Sequence, residues 1–140
     1  MTYQLSITQQ SCYLHFIVSG ENSENNVIHY LEDVLQECIN RGCRKVLIEE
    51  RLAGPRLKTF PVYEIARDGS DNARGHFDAI AYVDVNASGD LMEFAETVAM
   101  NRGLPVHIFA TVAEAEKWLH DIVIKNKSEN NTQDSSETTN

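Results

Sequence analysis

No apolar run in the sequence approaches the roughly 20 residues that a membrane-spanning helix requires. The stretch Met1-Thr2-Tyr3-Gln4-Leu5-Ser6-Ile7 lacks the basic and then apolar segments of a signal peptide, so a cytoplasmic protein is the expectation. Cysteine is scarce. Cys12, Cys38 and Cys43 form no CxxC pair, and their odd number argues against a disulfide framework. Cys38 falls on the apolar stripe of an expected helix and Cys12 starts an expected strand, so packing is their expected role. Basic charge is short as well: 12 Lys and Arg face 21 Asp and Glu, a net charge of −9. That balance excludes general nucleic-acid binding, because phosphate contacts need a basic face.

Catalytic strings are missing too. His15, His29, His76, His107 and His120 are scattered, with no HxxxH or HExxH spacing to present zinc ligands from one helix. There is no GxSxG nucleophile turn and no GxGxxG or GxxxxGKS/T phosphate loop. No catalytic residue, metal or cofactor is expected, and the chain reads as something other than an enzyme.

What is present is a regular alternation of elements. At 140 residues and 42% hydrophobic content, the chain can bury a core without staples. Tyr3 to Thr8 and Cys12 to Ser19 alternate in the two-residue period of strands, joined by a hairpin at Gln9-Gln10-Ser11. In the second strand Leu14, Phe16 and Val18 share one face, and Tyr13, His15 and Ile17 the other. Ser19 to Ser23 reads as a turn. Val27, Leu31, Val34, Leu35, Cys38 and Ile39 recur at helical spacing, which predicts a helix over Val27–Arg41 ended by Gly42. Lys45 to Glu49 is a short apolar strand, and Arg51 to Phe60 reads as a loop. A second helix is expected from Thr59, its N-cap, to about Ala66, with Asp68 to Gly75 as loop. Phe77 to Val85 is a strand. Gly89-Asp90 opens a helix with a Leu91, Phe94, Ala95 and Val98 stripe, ended by Gly103 and Pro105. Val106 to Phe109 is the last strand. Thr111 and Glu114 form a capping box for a final helix that turns Val112, Ala115, Leu119 and Ile122 inward. The expected domain covers residues 1–125. The polar stretch 126–140 has no large apolar residue and is expected to be a disordered tail.

This order, β-β-α-β-α-β-α-β-α, defines an α/β class with a five-stranded mixed sheet and about four helices. Together with Val46-Leu47-Ile48-Glu49-Glu50-Arg51, Ile80-Ala81-Tyr82-Val83 and Val106-His107-Ile108-Phe109 followed by Ala115-x-x-Trp118-Leu119, it resembles the SpoIIAA-like branch of the STAS superfamily over residues 3–123. The resemblance implies a small regulatory α/β domain. Phosphorylated members carry an Asp-Ser-type pair where the third strand meets the second helix. Here that stretch, Glu49 to Pro55, has no hydroxyl before Thr59, so the phosphoswitch does not transfer. The same branch is similar to the lipid-binding fold of Sec14-type proteins, which implies a ligand pocket as an alternative.

Charge picks out one region. Residues 41–74 hold eight Lys and Arg against five Asp and Glu, a net of +3, leaving −12 elsewhere. Open parallel sheets bind ligands beyond the carboxyl ends of their strands. The loops there are Glu50 to Lys58, Asp84 to Asp90, which offers Asp84, Asn86, Ser88 and Asp90, and Ala110-Thr111. The candidate surface is therefore Glu50, Arg51, Arg56, Lys58, Phe60, Tyr63 and Arg67. Glu49 and Glu50 should point to opposite faces and form a solvated ion-pair cluster with the nearby basic groups. The leading expectation is a non-catalytic regulatory or protein-interaction module whose partner is acidic. The alternative is a small-ligand or lipid-binding domain with a pocket beside Phe60, Tyr63 and Ile65, taking an apolar or anionic ligand. An unrecognised enzyme comes third, and a homodimer is compatible with all three. A buried apolar cavity would favour the ligand reading, and a closed core the protein-interaction reading.

Overall fold

The computed structural model describes residues 3–84 and 89–122. Five strands form one sheet: β1 (Tyr3–Gln9), β2 (Leu14–Glu21), β3 (Lys45–Ala53), β4 (Ala79–Asp84) and β5 (Val106–Phe109). They lie in the order β1-β2-β3-β4-β5, with β1 antiparallel at one edge and every other pair parallel. The expected α/β class and mixed sheet are therefore present. Parallel neighbours need crossovers, which α1 (Glu24–Arg41), α2 (Thr59–Ala73) and α3 (Gly89–Asn101) supply. A fourth helix, α4, occupies residues 112–122. No described helix is long and apolar enough to cross a membrane. The tail expected at residues 126–140 lies outside the described residues, as do Val85, Asn86 and Ser88.

Strand alternation splits the core in two. Leu14, Phe16, Val18, Val46, Ile48, Leu52 and Ile80 face α1, α2 and α3. Leu47, Ala79, Ala81 and Val83 face the other way, with Tyr13, Ala115 and Leu119. Three helices thus cover one face and α4 covers the other. Small Ala79 and Ala81 on β4 leave room for Leu119 and for Trp118, whose ring sits 5.5 Å from Phe109 and 4.9 Å from His107.

Several boundaries differ from those expected, each for a local reason. The strand β2 begins at Leu14, so Cys12 stands in the hairpin turn. α1 starts at Glu24 because the Ser23 side chain accepts from the Asn26 N–H at 3.2 Å. Its buried stripe is Val27, Tyr30, Val34 and Cys38, while Ile39 turns 44% outward. β3 runs on to Ala53 because Leu52, 1% exposed, still fills the helix-side core. Gly54, at φ 111, then turns the chain away in a conformation that favours glycine. α2 continues through Asp68-Gly69-Ser70-Asp71, since Ser70 is buried and its hydroxyl donates to the Ala66 carbonyl at 2.5 Å. Its N-cap is Lys58, not Thr59, and makes no side-chain cap bond. In α3 Ala99 is the buried residue, and Phe94, expected inward, is 38% exposed and stacks on Tyr63. The Thr111 hydroxyl oxygen accepts from the Glu114 N–H at 3.2 Å, as the capping pattern requires.

α2 is the loosest of the covering helices. Only Ser70 and Ala73 are buried on it, although Val62, Ile65 and Ala66 also face the sheet side. Their partial burial has a cause: a space lies beneath them.

Candidate functional site

That space is a cavity of about 430 Å³ between the sheet and the three helices. Val27, Leu31 and Leu35 of α1, Val62, Ile65 and Ala66 of α2, and Ala95 and Ala99 of α3 form its apolar walls over Ile48, Ile80 and Val106. Its polar end lies at the carboxyl ends of β3 and β4, where Glu50 and Asp84 are register partners. The binding edge expected of an open α/β sheet is thus where the polar groups gather, but the space itself runs under the helix layer.

The charged strand exit is buried rather than solvated. Glu49 and Glu50 are each 3% exposed, which overturns the solvated ion-pair cluster expected for them. The physical reason is that β3 extends past them and stays covered on both faces. They do point to opposite faces, as alternation requires.

On the cavity side Glu50 Oε2 accepts from both the Tyr30 and Tyr82 hydroxyls, and the two hydroxyl oxygens stand 2.6 Å apart. Burial pushes the Glu50 carboxyl above its usual range, while the two tyrosine hydrogen bonds pull it back. Burial likewise raises both tyrosines well above normal, so they act as neutral donors. Asp84, 2% exposed at its side chain, pairs with Arg56 Nη2. Arg56 comes from the short loop after β3. That loop is held by the Asn22 side-chain amide donating to the Pro55 carbonyl at 2.9 Å and by the Asn22 N–H donating to the Ala53 carbonyl at 2.7 Å. Arg56 Nη1 is buried and has no hydrogen-bond partner among the described residues.

The raised Glu50 carboxyl gives a pH prediction. An acid whose folded pKa lies above its unfolded value favours the folded state while protonated. The advantage is complete below the unfolded value of about 4.3 and is lost as pH rises through the folded one. The stability of the native protein minus that of Glu50→Gln should therefore fall as pH rises across that window, by at most about 1.4 kcal/mol per pH unit. Urea denaturation of both proteins at closely spaced pH values reads this directly; a difference that rises with pH would contradict the assignment.

On the opposite face Glu49 Oε1 lies 3.0 Å from His15 Nε2, and its other oxygen accepts from Arg51. The His15 and Glu49 side chains are 13% and 4% exposed, against 56% for Arg51. The other four histidines stand apart: His29 meets the Asn25 carbonyl, His76 is exposed after α2, His107 packs on Trp118, and His120 lies 3.9 Å from Cys12 Sγ. Among the described residues no group of three His, Cys, Asp or Glu side chains is placed to hold a metal.

The seven residues expected to form one surface are divided. Glu50 and Arg56 meet at the cavity. Arg51 leaves the sheet on the other side, engaged with Glu49. Lys58 and Phe60 stand exposed at the start of α2, Phe60 by 67%. Tyr63 lies between Phe94 and the Arg67 guanidinium, which is 5.5 Å from its ring, and Arg67 also pairs with Asp68. The net +3 of residues 41–74 does not make one basic patch, because Arg51 and Arg56 are each matched to a buried carboxylate. Asp84, offered by the loop after β4, stands at this polar end, and Tyr30 and Tyr82, which were not among the candidates, complete it. Tyr30 could have been found, since it sits three residues after Val27 and four before Val34 on the α1 stripe. No protein-family model matches the chain and no curated protein shows significant similarity to it.

Proposed function

We propose that this domain is a non-catalytic binding module that takes a small, largely apolar ligand into the cavity between its sheet and helices α1, α2 and α3. One observation carries this reading: a largely apolar space of about 430 Å³ with Glu50, Arg56 and Asp84 gathered at one end. Ligand sites commonly have volumes of ~300–1,000 Å³ and this same mix of apolar wall and sparse polar anchors. Kinship with the SpoIIAA-like branch remains part of the proposal, and its lipid-binding analogy agrees with the cavity. The protein-interaction reading would rest on Phe60, which exposes an aromatic ring at the end of α2.

Fluorescence titration with N-phenyl-1-naphthylamine, an uncharged apolar probe, separates the two. The native chain should bind it with micromolar affinity. Ala66→Phe, which fills the space from α2, should weaken binding by on the order of tenfold while melting unchanged or higher. Phe60→Ser should bind as the native protein does. Equal loss in Phe60→Ser, or no loss in Ala66→Phe, would move the site to the surface.

A further inference from the structure

We infer that β1 is a self-association edge, on which a second copy of this chain pairs antiparallel across a two-fold axis at Ser6 and joins the two sheets into one. The inference is independent of the cavity, since no residue of β1 lines it.

The two edges of the sheet are finished differently. β5 has four residues, and its Ile108 N–H already donates to Glu96 Oε2 at 2.7 Å. A short strand with a charged side chain on its outward amide resists pairing. β1 has seven residues, Tyr3-Gln4-Leu5-Ser6-Ile7-Thr8-Gln9, with no charge and no proline, and its register against β2 runs without a bulge. It carries none of these devices that blunt an edge.

The hairpin decides which backbone groups of β1 are open. The Gln10 N–H donates to the Tyr13 carbonyl at 2.9 Å, and bonded and non-bonded pairs alternate along an antiparallel ladder. Gln4, Ser6 and Thr8 therefore turn their N–H and C=O groups to β2, while Tyr3, Leu5, Ile7 and Gln9 turn theirs to the open edge. The far side of β2 agrees with this parity, which sends even-numbered residues toward β3: the Asn22 N–H, just past β2, donates to the Ala53 carbonyl at 2.7 Å.

That edge is complementary to itself. Centring the pair on Ser6 sets Leu5 against Ile7 of the second copy, Tyr3 against Gln9 and Gln4 against Thr8. All seven residues are then matched, and open backbone groups meet open backbone groups. The faces match as well. Tyr3, Leu5 and Ile7 are half-buried against the helix-side core and would continue that apolar layer across the axis, while exposed Gln4, Ser6 and Thr8 meet their like on the other face. Because the strand holds no charged residue, two copies of a chain of net charge −9 meet there with no like charges directly opposed along the ladder. A single strand ladder is a small interface, under the ~1,200 Å² of stable complexes, so the dimer should dissociate at on the order of 10–100 μM.

Sedimentation equilibrium of the full chain from about 1 μM to about 1 mM should show monomer and dimer in exchange. Ser6 is exposed, so Ser6→Glu should melt as the native protein does, yet it opposes two like charges at the axis and should weaken the dimer about fivefold or more. Ser6→Cys should cross-link on mild oxidation, because residues facing each other in a non-bonded pair have Cα atoms ~4.5 Å apart, within reach of a disulfide. Thr8→Cys, exposed on the same face, should cross-link no more than the native protein, since the two copies of residue 8 lie about 13 Å apart in this register. A chain still monomeric at about 1 mM would overturn the inference, and slow amide exchange at Leu5 and Ile7 would then mean that another part of the same chain fills the edge. A dimer that Ser6→Glu leaves as tight as before, or equal cross-linking of Ser6→Cys and Thr8→Cys, would overturn it by placing the interface elsewhere.

Discussion

Arg56→Ala is expected to destabilise the protein by about 3 kcal/mol, while Asp84→Ala costs less. The asymmetry follows from exposure. The Arg56 side chain is 32% exposed and can swing its guanidinium to water when its partner goes. The Asp84 side chain is 2% exposed and cannot, so removing Arg56 strands a carboxylate in the core beside a second one, Glu50. Breaking a buried pair from one side generally costs ~3–5 kcal/mol; the low end applies because Asp84 makes further contacts of its own. The double variant Arg56→Ala with Asp84→Ala should then recover part of the loss, since no stranded charge remains. Urea denaturation of the three variants checks this. A loss below about 0.5 kcal/mol for Arg56→Ala, typical of an exposed pair, would mean that the ion pair is open to solvent.

The Arg56 and Asp84 pair also marks where sequence and structure part. The strands and three of the helices were legible because hydrophobic periodicity is local. Alternation in Leu14 to Val18 and the three-and-four spacing from Val27 to Cys38 each depend on neighbours in the chain. The expected second helix stops near Ala66 because Gly69, Ser70, Asp71 and Asn72 are turn formers, and local propensity gives no sign that burial of Ser70 and Ala73 carries α2 on. The site was hidden for the opposite reason. Glu49-Glu50-Arg51 looks like a charged strand exit, and only its neighbours from elsewhere in the chain make it interior. Tyr30 and Tyr82 lie 20 and 32 residues from Glu50, and Asp84 lies 28 from Arg56. No local pattern encodes such pairings. The local excess of basic residues was real in count, yet two of them, Arg51 and Arg56, are matched to buried carboxylates and the excess makes no single exposed basic face.

A second large effect is expected at Phe16. Its ring is fully buried on β2, with Ile7 and Ile48 as its register partners on either side. Phe16→Ala removes that ring and leaves a void the sheet cannot close, because both neighbours are fixed by the strand ladder. The cost should be about 3–5 kcal/mol, a large share of the ~5–15 kcal/mol that holds a domain folded. Ile48 also lines the cavity, so the new void adjoins the existing space. An apolar ligand should therefore stabilise the variant more than the native protein, because a ligand that binds only the folded state adds stability in proportion to the logarithm of its occupancy term. Thermal melts of both proteins with and without decanol measure the loss and the recovery together. A loss under about 1 kcal/mol would show that the ring is not packed as described. A full loss with no greater recovery than in the native protein would show that Ile48 seals the cavity from β2, and would confine the ligand to the space beneath α2.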